Sequence, residues 1–317
     1  MNNTVSLHTH LEGSIRPSTY RDLMGKDLTS ELTVNRNCNS LQEFLAKIER
    51  GCDLTQRRVN LRRVAYECVE TAAHNSCLYL EIRFGPTVHV FGDMKLPDTI
   101  EAVLEGLKAG EKEFGTVSRL IVATLRNEKP EVSIELAKLA ATYKNEGVVG
   151  FDIAGDETTY PAKIHQEAFE IAKKEGLGIT VHAGEAGSAA NVKEAILELG
   201  ATRIGHGIQV VQDMEVMELA KEKEIVFEVC PTSNLHTGAV LTWEKHPLSE
   251  MAKNGLRITI NDDDPETSQI SLQSEYELAE KLLKDSITRQ SLLTNAIRGS
   301  FASEATKKRL LAKLNSQ

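Results

Sequence analysis

Histidines and carboxylates recur at regular places in this sequence. His8 and His10 lie two positions apart in TVSLHTH, His182 and Glu185 fall in VHAGE, His206 in RIGHG, and Asp262, Asp263 and Asp264 follow one another in INDDDPE. Side chains on a strand repeat their direction every second residue, so His8 and His10 share one face. A third histidine and a carboxylate from other strands would complete an N₃O ligand set, which suits zinc and leaves a position for water. Any one of these histidines taken singly is an ordinary core or surface residue. Their joint recurrence at the ends of apolar runs is what points to a metal site.

The elements that must position them follow from periodicity. Eight short β-branched or apolar runs read as strands, at residues 4–8, 78–84, 118–124, 148–153, 178–182, 203–206, 225–230 and 256–261. Amphipathic helical segments separate them. EAFEIAKKEG stops at Gly176, NVKEAILELG has Asn191 as its N-cap and Gly200 as its stop, and HPLSEMAKNG places Pro247 at a first helical position. Strands alternating with helices imply a parallel sheet, and eight of them imply an α/β fold of the (β/α)8 TIM barrel type. Additional helices fall between the first and second strands (SLQEFLAKIE and NLRRVAYECVETAAHN) and at the C-terminus from Tyr276 to Leu314. A doubly wound open sheet is the alternative, and no GxGxxG follows a strand to support its dinucleotide-binding form. In a barrel enzyme the site forms where strands end, which is where the histidines and aspartates stand.

The chain has 317 residues and no Gly/Ser/Pro-rich linker, so one domain over 1–317 is expected. A formal charge of −9 argues against nucleic acid or an anionic membrane as the main partner. The five cysteines lack CxxC spacing, which argues against a disulfide framework and for a reducing cytoplasm. The start has no signal-peptide pattern, and no apolar run reaches the ~18 residues of a membrane span. Two-metal hydrolytic barrels commonly bridge their ions with a lysine on the fourth strand. The fourth strand here has none, which favours one zinc per chain.

LHTHLEGSIRP, EIRFGP, FDIAGDE, VHAGE, RIGHGI, CPTSNLHTGAV, HPLSEM and NDDDPE, in that order, resemble the adenosine deaminase family of metal-dependent hydrolases across essentially the whole chain. The resemblance implies the same barrel. It implies His8, His10, His182 and Asp263 as zinc ligands, Glu185 as the acid that protonates purine N1, and His206 as the residue that orients the attacking water. It also implies Gly155 as a backbone donor to N3 and Asp264 as the partner of N7. The apolar lid over the purine corresponds to Leu41, Phe44, Leu45 and Ile48. The expected reaction is hydrolytic deamination of adenosine or 2′-deoxyadenosine.

The chemistry is coherent on its own terms. Zinc makes water nucleophilic near neutral pH, and addition to C6 costs aromaticity unless N1 is protonated. An acid in a water-poor site, Glu185, can supply that proton, while Asp263 takes one from the water. Glu12 departs from the aspartate common in this family's HLDG segment, where it resembles a contact to the sugar. The departure leaves adenine or 6-aminodeoxyfutalosine as alternative substrates, and a non-catalytic metal-binding barrel as the remote alternative. Cys230 reads as a buried strand residue. His74, His89, His165, His236 and His246 read as surface or capping residues without a metal role.

Overall fold

A computed structural model describes residues 2–34, 38, 40–284 and 286–315. Eight parallel strands stand in the order of the sequence: β1 Thr4–His10, β2 Cys77–Phe84, β3 Val117–Leu125, β4 Val148–Ala154, β5 Gly178–Ala183, β6 Arg203–His206, β7 Val226–Val229 and β8 Arg257–Ile260. Helices lie between them, which is the (β/α)8 barrel. Each strand falls where the apolar runs placed it, because a parallel strand covered by helices must be apolar on its outer face.

The barrel closes between β8 and β1 without a regular ladder. Leu7 N–H donates to Asn261 Oδ1 at 2.8 Å. Asp263 N–H donates to the His8 carbonyl at 3.0 Å, and His10 N–H donates to the Asp263 carbonyl at 2.7 Å. The opposite side is thin as well: β4 and β5 pair only through Gly150 with Gly178 and Phe151 with Ile179.

Outward-facing side chains such as Leu80, Ile82 and Phe227 pack against the helices in one buried cluster. The inward positions are different. Glu81, Arg83, Asp152, Thr180, Arg203 and Glu228 are all buried inside the barrel, where bulky aliphatic residues are the rule.

The extra helices sit where expected. The first long segment holds helices Leu41–Cys52 and Arg58–His74, and the tail folds as Leu272–Leu283, Arg289–Gly299 and Glu304–Asn315. Two caps differ from the sequence reading. Helix Ala189–Leu197 starts from Ser188, and Asn191 sits at its third position, closing a capping box with its Oδ1 on the Ser188 amide at 2.9 Å. Helix Leu248–Lys253 is flanked by Pro247 at the cap itself, one place earlier than expected. Among the described residues, no helix is long and apolar enough to cross a membrane.

Candidate active site

β1 ends with His8 and His10 on its inward face, at the C-terminal mouth of the barrel. His10 Nε2 lies 3.1 Å from His182 Nε2 and 3.4 Å from Asp263 Oδ1. His8 Nε2 lies 3.1 Å from the same oxygen. One ligand atom from each of these four residues lies within 4.8 Å of all the others. Atoms about 2.05 Å from one tetrahedral centre stand about 3.3 Å apart, close to these spacings. Buried His8 Nε2 makes no hydrogen bond. Burial also holds His10 and His182 below the usual imidazole pKa, in the neutral form that ligates. Burial acts on His8 as well, but Asp263 and Glu228 beside it push that imidazole up instead. Four nitrogen and oxygen donor atoms converging at these spacings fit a divalent metal.

His206 and Cys230 adjoin the cluster, their ligand atoms lying within 4.8 Å of His8 and Asp263. Burial, helped by the Asp263 charge, pushes the Cys230 thiol well up. A neutral thiol is the poorer ligand, so the three histidines and Asp263 are the better set.

Behind the ligands stands the buried charged network of the barrel. His8 Nδ1 donates to Glu228 Oε2 at 2.9 Å, and His182 Nδ1 donates to Asp152 Oδ2 at 3.1 Å. Each contact commits Nδ1 and leaves Nε2 for the metal. Arg83 then joins the two carboxylates, donating to Asp152 Oδ2 and to Glu228 Oε2, both at 2.6 Å. Arg203 donates through Nε to Glu228 Oε1 at 2.5 Å and pairs with Glu81 at 2.6 Å.

Two residues at the mouth hold unusual backbone. His206 has φ +59° and Asp263 has φ +56°, a region that side chains beyond Gly rarely adopt. Such conformations cost about 1–3 kcal/mol each and persist where surrounding contacts enforce them. Asn234 Nδ2 donates to His206 Nδ1 at 3.0 Å, which leaves the proton on Nε2. That nitrogen points between Glu185 Oε2, at 3.7 Å, and Asp263 Oδ2, at 3.8 Å. Burial lowers the His206 pKa well below its ordinary value, so the imidazole is neutral.

Glu185 is buried, and Thr237 Oγ1 donates to its Oε1 at 3.1 Å. Burial, then the charges of Asp263 and Glu157, push its carboxyl well above the usual range. Burial also opposes ionisation of Asp263, but His206 and His8 beside it outweigh that and hold its carboxyl well below the usual range. Asp264 goes the other way: burial, then Asp263 and Glu12, push it well up, and its Oδ1 has no hydrogen-bond partner. Gly13 makes room for that carboxyl, since a Cβ there would fall 1.8 Å from Asp264 Oδ1.

These groups face a cavity of about 440 Å³, enough for a purine nucleoside. Leu41, Phe44, Leu45 and Ile48 of helix Leu41–Cys52 line one wall, and Gly155, Glu12 and Asp264 line others. Gln42 Nε2 ties that helix to the loop after β4, donating to Asp156 Oδ2 at 3.0 Å. A larger open cleft of about 850 Å³ lies at the N-terminal ends of β3 and β4, away from the histidines.

The sequence model of the adenosine deaminase family matches residues 4–317. The chain belongs to the adenosine deaminase family. An adenosine deaminase of Clostridium acetobutylicum is 38% identical over 98% of this chain and 96% of its own length. Among solved structures, an adenine deaminase from Arthrobacter aurescens superposes with a TM-score of 0.90 at 27% identity, covering 99% of this chain and 98% of the other. The N6-methyl-AMP deaminase of Arabidopsis thaliana gives 0.86 at 28% identity, over 99% and 96%. The chain is a metal-dependent hydrolytic deaminase.

All the residues carried over from the adenosine deaminase family pattern converge on this one mouth. The sequence reading missed much of what holds them: Arg83, Asp152, Glu157, Glu228, Asn234 and Thr237. A signal for several was present, because EIRF, GFDI and VFEV put charges in strands that should be apolar on both faces. Two of the remaining histidines need correction: His89 and His165 are buried rather than on the surface. His246, also buried, caps a helix start as expected, its Nδ1 accepting the Leu248 amide at 3.1 Å. His89 contributes to the site, its Nε2 lying 3.1 Å from Glu12 Oε1 and its Nδ1 2.8 Å from Thr55 Oγ1. Glu12 Oε1 also accepts the Gly85 amide at 2.8 Å, while its Oε2 is buried without a partner.

Proposed function

We propose that this enzyme converts adenosine and 2′-deoxyadenosine to the corresponding inosines and ammonia, with one zinc ion per chain held by His8, His10, His182 and Asp263. The observation that carries the reading is a buried Glu185, its carboxyl pushed well above the usual range by burial, facing the ligand cluster within a nucleoside-sized cavity. When bound, zinc supplies Lewis acidity that makes a water nucleophilic at neutral pH.

This chain's residues do the rest. Glu185 holds the proton for N1, so the ring accepts the electron pair as the C6–O bond forms. Asp263, kept ionised, takes a proton from the water. The neutral His206 directs its Nε2–H to the oxygen as charge develops there. The proton on Asp263 moves to the 6-amino group, the C6–N6 bond breaks with its electron pair leaving on ammonia, and the remaining proton on the C6 oxygen returns to Glu185 as the carbonyl forms. Asp264 holds a carboxyl proton for N7, and the Gly155 amide faces N3. The apolar wall from the helix Leu41–Cys52 excludes bulk water, which keeps these charges effective.

Glu12 presents the acceptor Oε2 at the sugar end, and Glu49 and Asp156 also line the cavity. Carboxylates there oppose a 5′-phosphate and favour a neutral nucleoside. Five cysteines without CxxC spacing fit a reducing cytoplasmic setting, and hydrolysis of a purine nucleoside fits purine salvage.

The longer Glu12 favours keeping a second reading, a related 6-aminopurine such as adenine or 6-aminodeoxyfutalosine. A panel of these with adenosine, 2′-deoxyadenosine and AMP, followed by ammonia release, separates the readings. The expected result is the highest kcat/KM on the two nucleosides and the lowest on AMP. A preference for adenine or 6-aminodeoxyfutalosine moves the assignment to that substrate.

A further inference from the structure

The loop that carries Glu185 is folded around a second buried carboxylate. Glu157 comes from the turn after β4 and is 6% exposed. Its Oε1 accepts the amides of Glu185 and Gly187, both at 2.7 Å, and its Oε2 accepts the Gly184 amide at 2.8 Å. Three amides from four consecutive residues thus converge on one side chain, a backbone concavity of the kind that binds anions. Hydrogen bonds to an ionised acceptor are the stronger ones.

The loop sequence GEAG suits this arrangement. Gly184 has φ +69°, and a Cβ there would fall 2.6 Å from Val192 Cγ2. A Cβ on Gly187 would fall 2.9 Å from Glu157 Oε2 itself. The Glu185 carbonyl accepts Gln209 Nε2 at 3.2 Å, so Glu157 on one side and Gln209 on the other fix the backbone of Glu185.

We infer that Glu157 is a positioning residue for Glu185: its carboxylate gathers the amides of Gly184, Glu185 and Gly187 and so sets where the proton donor's side chain begins. The inference rests on the reading of Glu185 as that donor. Glu157 also lies behind it as a fixed charge. The other titratable groups around Glu185 are Asp263 and Asp264 after β8, His206 at the end of β6 and Cys230 after β7. A cation in the ligand cluster would offset the charge of Asp263. Glu157 would remain as a carboxylate opposing ionisation of Glu185.

Glu157→Gln keeps the volume but turns an NH₂ group toward one of the three amides. Glu157→Asp keeps the charge and withdraws it by one methylene. Metal content, Tm, amide exchange over residues 183–188, and kcat and KM against pH are measured on both metal-loaded variants, with Glu185→Gln alongside. We expect Glu157→Gln to retain its metal, to exchange the loop amides at least about tenfold faster, and to lower kcat about tenfold or more with KM within about threefold. Its alkaline fall in kcat/KM should begin at lower pH, while Glu157→Asp should lose kcat without that displacement. Loop exchange and kcat both within about twofold of wild type in Glu157→Gln would overturn the inference. So would an equal loss of kcat in both variants with unmoved pH profiles and lowered Tm. If Glu157→Gln does not fold, Glu157→Asp decides: slower turnover with faster loop exchange supports the positioning role, and wild-type values of both overturn it. Turnover retained by Glu185→Gln would instead remove the reading of the donor.

Discussion

Asp263 and His8 meet twice across the seam that closes the barrel. The Asp263 amide donates to the His8 carbonyl at 3.0 Å, and its Oδ1 lies 3.1 Å from His8 Nε2. The metal site and the closure of the barrel are therefore built from the same pair. Asp263 adopts a left-handed backbone there, with φ +56°.

Metal removal should consequently loosen the barrel as well as stop turnover. A ligand at about a thousandfold excess over its Kd adds about 4 kcal/mol of stability. We expect chelation to lower Tm by about 5–10 °C, with recovery on adding zinc. Differential scanning calorimetry of the chelated and reloaded protein checks this, and an unchanged Tm contradicts it.

Arg83 is the shared partner of the two carboxylates that orient His8 and His182. Arg83→Met would leave Asp152 and Glu228 short of a buried cation, at a cost of about 3–5 kcal/mol. Loss of such supporting contacts weakens metal binding about 10–100-fold. Urea titration measures the first effect and competition with a zinc chelator the second. Wild-type zinc affinity in a folded variant would show that the network does not support the ligands.

The strands were legible in the sequence because apolar runs obey a simple periodicity, and the shared face of His8 and His10 because of their spacing. The choice of His182, and of Asp263 among three aspartates, rested on the family resemblance. Apolar runs such as 118–124 mark helix-covered strands, and HxH shares one strand face by geometry alone. The network behind them was not legible. Arg83, Asp152 and Glu228 are far apart in sequence, and only closure of the barrel reveals that they neutralise one another. His89 was misread for the same reason: its partner Glu12 lies 77 positions earlier, and only the fold brings the two together. The helix caps were off by one to three places, since Ser188 and Asn191 are both good cap formers and local chemistry alone does not choose between them.

His89 should control selectivity through Glu12. It fixes Oε1 and leaves Oε2 free for a sugar hydroxyl. His89→Leu should raise KM for adenosine about tenfold, the loss of one well-placed hydrogen bond, and leave KM for adenine within about twofold. Steady-state kinetics on both substrates checks this. Equal changes for the two would place Glu12 away from the sugar.

His246 should make the fold acid-sensitive. Its Nδ1 accepts the Leu248 amide at 3.1 Å, and burial pushes its pKa down to about 4. The unfolded imidazole titrates near about 6.5. Below that pH the unfolded chain takes up a proton that the folded state refuses. Stability from this group is therefore complete above pH about 6.5 and is lost as pH falls toward 4, by about 2 kcal/mol between pH 7 and pH 5. His246→Asn keeps an acceptor that does not titrate. Urea unfolding at pH 7 and pH 5 should show a loss about 2 kcal/mol smaller in the variant. Equal losses in both proteins would exclude this role.

The central claim is that Glu185 protonates a purine nucleoside opposite a metal held by His8, His10, His182 and Asp263. Its most direct test is ammonia release from adenosine by wild type and Glu185→Gln at equal zinc content. We expect one ammonia per inosine from the wild type and a rate lower by at least about a thousandfold from the variant. Turnover by the variant within about tenfold of wild type, or no ammonia from the zinc-loaded wild type, would contradict it.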